Sequence, residues 1–136
     1  SESIGVMPYS PLAGGLLTGK YGTTRRPKVG RIIDTSMYSV RYSDQAYFAV
    51  AERFTALAER EGISPVTLAI AWVASHPAVT APLLGARNLE QLTPALAAAD
   101  FEVSDDLRAE ISALSPTPPP ATDRNEETGN HNFGSR

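Results

Sequence analysis

The chain contains no cysteine, which excludes disulfide bonds, thiolate chemistry and cysteine-ligated zinc. Its two histidines, His76 and His131, lie far apart in the sequence, so they make a poor metal site, and neither is assigned a catalytic role. An excess of basic charge is also missing, because 12 basic residues stand against 15 acidic ones and the net charge is -3. Nucleic acid and anionic membrane surfaces are therefore not expected as partners.

Long apolar runs are absent as well, since none approaches the ~20 residues that a membrane-spanning helix needs. Residues 1–3 carry neither an initiator methionine nor the basic region of a signal peptide, and we expect a cut or processed N-terminus. The lack of cysteine favours a cytoplasmic protein. A length of 136 residues with 42% hydrophobic residues suits one folded domain.

Two short apolar segments, residues 4–9 and 78–84, are predicted to be strands. Neither alternates between apolar and polar residues, which is typical of strands buried on both faces of a parallel sheet. The chain between them has helical patterns, so the order predicts an α/β fold in which a helical crossover joins the strands. Because two strands cannot form a sheet that hides both faces, we expect an incomplete domain.

Residues 14–43 show no sustained periodicity and are predicted to be a long functional loop. A helix then begins with Ser43 or Asp44 as its N-cap and ends at Gly62. Its predicted buried face consists of Tyr47, Val50, Phe54, Leu57 and Ala58. A second helix starts at Ser64 and Pro65 and is apolar nearly all round as far as Ala74, which predicts burial on several sides, with Trp72 in the core.

Two further helices follow the second predicted strand. Asn88 is predicted to cap the first of them, with Gln91 at capping-box spacing. Pro94 costs roughly 3 kcal/mol inside a helix, so this helix either kinks there or restarts at Thr93 and Pro94. The last helix begins at Ser104, and its inner residues are Leu107, Ile111 and Leu114. Asp105 and Asp106 are better explained by capping than by acid–base chemistry.

Residues 115–136 are rich in proline and polar residues and are predicted to be a disordered tail.

The glycine-rich segment 14–21 nearly matches a P-loop, but the match fails on chemical grounds. Tyr21 stands where a small hydroxyl should bind Mg²⁺, and no helix pattern follows that could direct its N-terminus at phosphate. Ser10 has no neighbouring histidine and no Gly-x-Ser-x-Gly motif, which argues against a serine hydrolase. Gly-x-Gly-x-x-Gly is absent too, so Rossmann-type dinucleotide binding is not expected.

What remains is a pair of anion-binding corners, at residues 10–20 after the first strand and 85–91 after the second. The loops that follow parallel strands bring helix N-termini and free backbone donors to one edge of the sheet. The sequence therefore predicts a phosphorylated cofactor at that edge. The basic residues 25–28 are predicted to be a solvated loop face, with attraction of the cofactor as the alternative.

Three blocks of the sequence, residues 8–21, 62–73 and 85–92, closely resemble the C-terminal part of an aldo-keto reductase. The similarity covers roughly residues 4–114 and is closest to bacterial members and to members like the potassium-channel β-subunits. It implies a (β/α)8 TIM barrel to which residues 1–114 contribute about two strands, the seventh and the eighth, with their helices. By itself this part is incomplete as a barrel.

The resemblance also implies an NADPH molecule lying across the barrel mouth. Tyr9 would stack on the nicotinamide, the chain near Ser10 and Leu12 would line the pyrophosphate, and Lys20 would add positive charge. Arg87 and Gln91 would face the adenosine end, where a guanidinium suits a 2′-phosphate and favours NADP over NAD. The implied cofactor-binding residues are Tyr9, Ser10, Pro11, Leu12, Gly14, Lys20, Arg31, Gly85, Arg87 and Gln91.

The chain departs from the family in two ways. Pro94 and Ala95 replace the Glu-Asn pair that often touches adenine, and nothing corresponds to the catalytic Asp, Tyr, Lys and His of the early strands. We therefore expect the cofactor-binding C-terminal portion of a carbonyl reductase, inactive alone, whose partners are the missing N-terminal half of the barrel and, in the complete protein, a small carbonyl substrate. The alternatives are a non-catalytic NADP-binding or regulatory module and a truncated fragment without activity.

Overall fold

The computed structural model describes residues 4–117. In this part the helices are α1 (Arg31–Asp34), α2 (Ser36–Arg41), α3 (Gln45–Arg60), α4 (Pro65–Ala74), α5 (Leu89–Leu96) and α6 (Asp105–Ala113), with 3-10 turns at Ala13–Gly15 and Ala97–Asp100. The tail prediction lies outside the described residues from position 118 onward.

The two predicted strands lie side by side and parallel, but they are not regular strands. A single parallel bridge joins Val6 to Val79, the Thr80 amide donates to the Val6 carbonyl at 2.8 Å, and the Leu83 amide donates to the Pro8 carbonyl at 2.8 Å. No ladder extends from this pair within residues 4–117. The prediction of regular strands was therefore wrong, because two short segments without flanking strands and with prolines in both cannot propagate a ladder.

The predicted loop over residues 14–43 contains α1 and α2. The Gly30 amide donates to the Asp34 carboxylate at 2.9 Å, and the Gly30 carbonyl accepts from the Asp34 amide at 2.8 Å. Ile32 is buried beside Tyr21 and Phe48, which holds the turn against α3. The loop prediction was wrong here, because helices of four and six residues are too short to show a period.

Helix α3 begins and ends as the sequence predicts. The Asp44 carboxylate accepts from the Ala46 amide at 2.8 Å, and Gly62 adopts a φ of +70° just after the last turn. Phe54, Leu57 and Ala58 are buried as predicted. Tyr47 was wrongly placed in the buried face, since it is 46% exposed, and Phe48 is buried instead because it packs near Tyr21.

Helix α4 is the central element of the packing. Ser64 caps it by accepting from the Val66 amide at 3.2 Å, and α3 and α5 lie against it. Five consecutive residues, 67–71, are buried, as predicted for a helix without a polar face, and the side chain of Leu68 is fully buried. The Thr67 hydroxyl is satisfied by donating to the Pro94 carbonyl at 2.7 Å.

Helix α5 runs through Pro94, so the alternative of a restart at Thr93 and Pro94 was wrong. The Asn88 side chain accepts from the Gln91 amide at 3.0 Å, which confirms the cap. The Gln91 side chain accepts from the amide of Arg87, one residue before the expected partner. A 3-10 turn follows at Ala97–Asp100 and completes this side of α4.

Helix α6 closes the core on the remaining side. The Ser104 hydroxyl accepts from the Leu107 amide at 3.2 Å, as the predicted cap requires. Leu107 and Ile111 are buried and Leu114 is half-buried, so the predicted inner face is confirmed. Together α3, α4 and α6 enclose one continuous apolar cluster.

None of the helices described in residues 4–117 is both long enough and apolar enough to span a membrane.

The packing around α4 gives a direct test with two leucines. Leu68→Ala should lower the free energy of unfolding by about 2–5 kcal/mol, because the fully buried side chain leaves a cavity. Leu89→Ala is the matched control: that side chain is 77% exposed, so the change should stay within about 0.5 kcal/mol. Urea unfolding followed by circular dichroism measures both, and equal losses would contradict the central position of α4.

Candidate functional site

The turn at residues 10–15, called the glycine-rich turn below, has an unusual backbone. Ser10 and Ala13 have φ values of +55° and +50°, and Gly14 and Gly15 follow at +68° and +102°. Two hydrogen bonds of 2.9 Å close it, from the Ala13 amide to Ser10 and from the Gly15 amide to Leu12. Left-handed residues other than glycine cost of order 1–3 kcal/mol each and cluster at ligand sites. The rest of the fold must stabilise this conformation.

Within this turn, successive amides form a concavity suited to an anion. Leu12 has φ -94° and ψ 9°, and the left-handed Ala13 follows it. Such a right-handed and left-handed pair turns neighbouring N–H groups toward one side, where they can bind an anionic oxygen. Among the hydrogen bonds of the described residues, the Ala13 amide has an acceptor, whereas the amides of Leu12 and Gly14 have none. Leu12 is half-buried and Gly14 is buried, so only a ligand that approaches the turn closely would reach these two donors.

Helix α2 and Tyr42, the residue directly after it, pack against the glycine-rich turn through aromatic rings. A Cβ atom on Gly14 would lie 2.7 Å from Tyr38 and 3.3 Å from Tyr42, so glycine is required for this approach. The two tyrosine rings stack with centroids 6.4 Å apart. The Arg31 guanidinium lies 5.4 Å from the centre of the Tyr38 ring, which brings this predicted residue to the Gly14 region.

The first predicted site residues divide into an exposed group and a group that packs on the core. Tyr9 is 75% exposed, so its ring is available to a flat ligand. Pro11 is half-buried, and the half-buried Leu12 packs its side chain against the core clusters on both sides of α4. Burial raises the pKa of the neighbouring Tyr42, and Tyr38, Tyr47 and Tyr9 add to the rise, whereas Arg41 opposes it. The rings of Tyr38, Tyr42 and Tyr47 contact one another and form a patch of tyrosines.

Lys20 and Tyr21 are adjacent in the sequence, but their side chains differ sharply in solvent exposure. Lys20 is exposed, whereas Tyr21 is only 2% exposed and packs with Leu16, Ile32 and Phe48. Burial raises the pKa of Tyr21, with a further rise from Asp34. The position that would bind Mg²⁺ in a P-loop is thus part of the core, in agreement with the argument against an NTPase.

The second corner begins with exposed residues. Gly85 has nothing within 4 Å of an added Cβ, and Arg87 is exposed. The Arg87 amide donates to the Gln91 side-chain oxygen at 3.1 Å, so that oxygen is already used inside the corner. Because Leu83 is hydrogen-bonded to Pro8, the two corners leave the paired segments at the same end. The predicted gathering of both corners at one edge is present.

The sequence predicted that residues 25–28 form a solvated loop face, but this holds only in part, because one of their arginines packs on an aromatic ring. The Arg26 guanidinium lies 3.5 Å from the centre of the Phe48 ring and donates to the Gly22 carbonyl. Arg25 lines an open groove of about 350 Å³ together with Glu52 and Glu59. Two hydrogen bonds from Thr23 lower the pKa of Glu52. Carboxylates in this groove make it a poor site for phosphate, which weakens the alternative of cofactor attraction here.

Sequence reasoning missed Tyr38 and Tyr42 as parts of the site. Tyr38 lies in α2 and Tyr42 directly follows it, both inside the predicted loop, and only the close approach to Gly14 reveals them. His76 has a structural role near the end of α4, since its Nδ1 accepts from the Ala78 amide at 3.1 Å.

Replacement of Gly14 should show how tightly the tyrosines hold the turn. Gly14→Ala combines a positive φ with a clash against Tyr38, so we expect a loss of about 2–4 kcal/mol in the free energy of unfolding. Gly62→Ala has the same sign of φ but open space around the added Cβ, and it should cost only about 1 kcal/mol. Thermal unfolding of the two variants measures the difference, and equal costs would exclude a tight contact with Tyr38.

Comparison with known proteins finds one matching family and several similar proteins. A model of the Aldo/keto reductase family matches residues 1–116. Protein tas of Escherichia coli is 34% identical over 113 residues, which cover 83% of this chain and 32% of that protein. The uncharacterized oxidoreductase YrpG of Bacillus subtilis is 30% identical over 119 residues, 85% of this chain and 33% of that protein. A protein of Babesia bovis named aldo-keto reductase is 30% identical over 118 residues, 84% of this chain and 41% of that protein.

The chain thus spans about a third of the length of the first two relatives and somewhat more of the third. The family match covers both corners of the candidate site as well as α3, α4, α5 and α6. The family's fold is a (β/α)8 barrel, and the single parallel bridge with its connecting helices is consistent with a part of one. This chain belongs to the aldo/keto reductase family.

Proposed function

We propose that this chain contributes the cofactor-binding part of an oxidoreductase that reduces carbonyl compounds with NADPH. The observation that carries the proposal is the glycine-rich turn, where the amides of Leu12 and Gly14 have no acceptor among residues 4–117. Free amides in this geometry suit a pyrophosphate oxygen, and they follow directly on an extended segment, where parallel α/β folds bind phosphates. Membership of the aldo/keto reductase family supports the proposal of an oxidoreductase.

The residues of the two corners fit such a dinucleotide in chemical type. The exposed ring of Tyr9 offers a flat apolar face to the nicotinamide. The amides of the glycine-rich turn would hold the pyrophosphate, with Lys20 and Arg31 adding positive charge. Arg87 would pair with a 2′-phosphate, and the Gly85 region leaves open space beside it. When bound, NADPH supplies a hydride, and these residues orient it.

The carbonyl substrate and the proton donor would be held by other barrel strands. Several apolar side chains of the paired segments are exposed, including Ile4 at 78%, Met7 at 57% and Leu83 at 48%. A two-stranded pair is marginal by itself, and exposed apolar surface of this kind is typical of an interface. We propose that the N-terminal half of the barrel covers this face and contributes the catalytic groups. A cytoplasmic location stays a prediction.

Cofactor titration of the 136-residue chain tests the proposal. NADPH should bind more tightly than NADH, and Arg87→Gln should weaken NADPH binding about 10-fold or more while leaving NADH nearly unchanged, because the charged hydrogen bonds to the 2′-phosphate are lost. Lys28→Gln is the control, since it removes the same charge from a region that the proposal does not use. Isothermal titration calorimetry gives the affinities, and an equal loss in both variants would point to unspecific attraction.

Turnover distinguishes the enzyme from a binding module. The chain alone should not oxidise NADPH with a generic aldehyde, measured by absorbance, whereas the chain joined to a barrel half from a relative should. Activity of the chain alone would contradict the proposal that other barrel strands contribute the catalytic groups. Cofactor binding without turnover, even with the other half supplied, would favour a non-catalytic NADP-binding or regulatory module, and the absence of both would favour a fragment without activity.

A further inference from the structure

Tyr21 is a buried residue that connects the two cations named above for the pyrophosphate. It directly follows Lys20 in the sequence, and only 2% of it is exposed. Its phenol oxygen lies 2.5 Å from the position that a Cβ atom on Gly30 would take. Gly30 directly precedes Arg31. One side chain therefore joins the position after Lys20 to the position before Arg31.

The ring of Tyr21 is enclosed by the core. It packs in one cluster with Ile32 and Phe48, and its centroid lies 6.1 Å from that of the Phe48 ring. Burial and Asp34 raise the pKa of Tyr21, whereas Arg26 and a hydrogen bond from the Ile32 backbone oppose the rise. Side chains in a close-packed core keep one rotamer, so the hydroxyl occupies a fixed position at the start of α1.

The first turn of α1 connects this contact to Arg31. The Gly30 amide donates to the Asp34 carboxylate at 2.9 Å, and the Gly30 carbonyl accepts from the Ile33 and Asp34 amides at 2.9 and 2.8 Å. Gly30 is thus fixed to the turn in which Arg31 is the first helical residue. The Arg31 guanidinium lies 5.4 Å from the centre of the Tyr38 ring, which contacts the glycine-rich turn.

The requirement for glycine at position 30 comes from the phenol and not from the backbone conformation. Gly30 has a φ of 172°, which is extended backbone that any residue adopts. The atoms next nearest to an added Cβ, after the phenol oxygen, belong to Pro27 and the Tyr21 ring at 3.6 and 3.7 Å, which are ordinary contacts. The close approach therefore depends on a single hydroxyl group, which a substitution can remove.

Resting on the proposed function, we propose that Tyr21 is a positioning residue for cofactor binding. Its hydroxyl fixes the backbone before Arg31, so that Arg31 and Lys20 act on the same pyrophosphate. Tyr21 itself belongs to the core and does not touch the cofactor. Charges that are already in place lose less conformational freedom on binding, so they bind an anion more tightly. Loss of the hydroxyl should therefore remove most of the contribution of Arg31.

A thermal-unfolding cycle tests the contact without any cofactor. In the 136-residue chain, Gly30→Ala should lower the Tm by about 5 °C or more, because the added methyl group meets the buried hydroxyl. Tyr21→Phe removes this oxygen and keeps the ring, so in that background Gly30→Ala should lower the Tm by less than about 2 °C. An equal lowering in both backgrounds would overturn the contact on which the proposal depends.

NADPH titration of the same chain by calorimetry tests the positioning. Arg31→Gln should weaken binding about fivefold in the original chain but less than about twofold in the Tyr21→Phe background, where the arginine is no longer held. Thr55→Val is the matched control background, because it also removes a buried hydroxyl, which donates to the Ala51 carbonyl within α3. In this control, Arg31→Gln should keep its full effect. If Tyr21→Phe does not fold by circular dichroism, Gly30→Ala replaces it, since it displaces the same backbone.

The outcomes separate this inference from the proposed function. If NADPH binds and Arg31→Gln has the same effect in all backgrounds, or none in the original chain, the proposed function stands and the role of Tyr21 is overturned. A reduced effect in the Thr55→Val background as well would show a general loss of stability, and would equally overturn that role. Absence of NADPH binding by the original chain would overturn both, whereas the Tm cycle would still measure the contact with Gly30.

Discussion

The burial of α4 is the constraint on which the rest of the structure depends. This helix has almost no polar face, so it must be covered on several sides. The long helix α3 and the amphipathic α6 cover one side around Leu68, and α5 with its 3-10 turn covers another. Thr67, the polar residue buried on this helix, is satisfied by a carbonyl of α5. The arrangement of the four longer helices follows from this one requirement.

The same packing holds the glycine-rich turn in its strained conformation. Leu12 directs its side chain into the clusters on both sides of α4, while its backbone belongs to the turn that we propose as an anion site. Favourable burial of this side chain offsets part of the cost of the left-handed Ser10 and Ala13. The side chain of Leu12 thus belongs to the core, and only its backbone is left for the proposed ligand contact. Tyr38 completes the arrangement by packing against Gly14 from α2.

Two features of residues 4–117 are left unsatisfied by the fold, an exposed apolar surface and a buried donor. The paired segments expose apolar residues where a larger sheet would continue, which agrees with membership of a barrel family. On α4, the buried Trp72 Nε1 atom has no hydrogen-bond partner among residues 4–117. The exposed apolar surface of the paired segments is the larger of the two features, and further strands would cover it.

The sequence by itself determined the features that depend on neighbouring residues. The caps at Asp44, Ser64, Asn88 and Ser104 were predictable because each satisfies an amide within three residues. The family was recognisable from three blocks of sequence, since these contain the turns and the packing residues of α4. Only the tertiary structure decided the short helices α1 and α2, the burial of Phe48 in place of Tyr47, and the contact of Tyr38 with Gly14. The physical reason is that these features arise from contacts between segments distant in the sequence, which no local pattern records. Regular strands are also missing from residues 4–117, because an isolated pair of short segments is only marginally stable without further strands beside it.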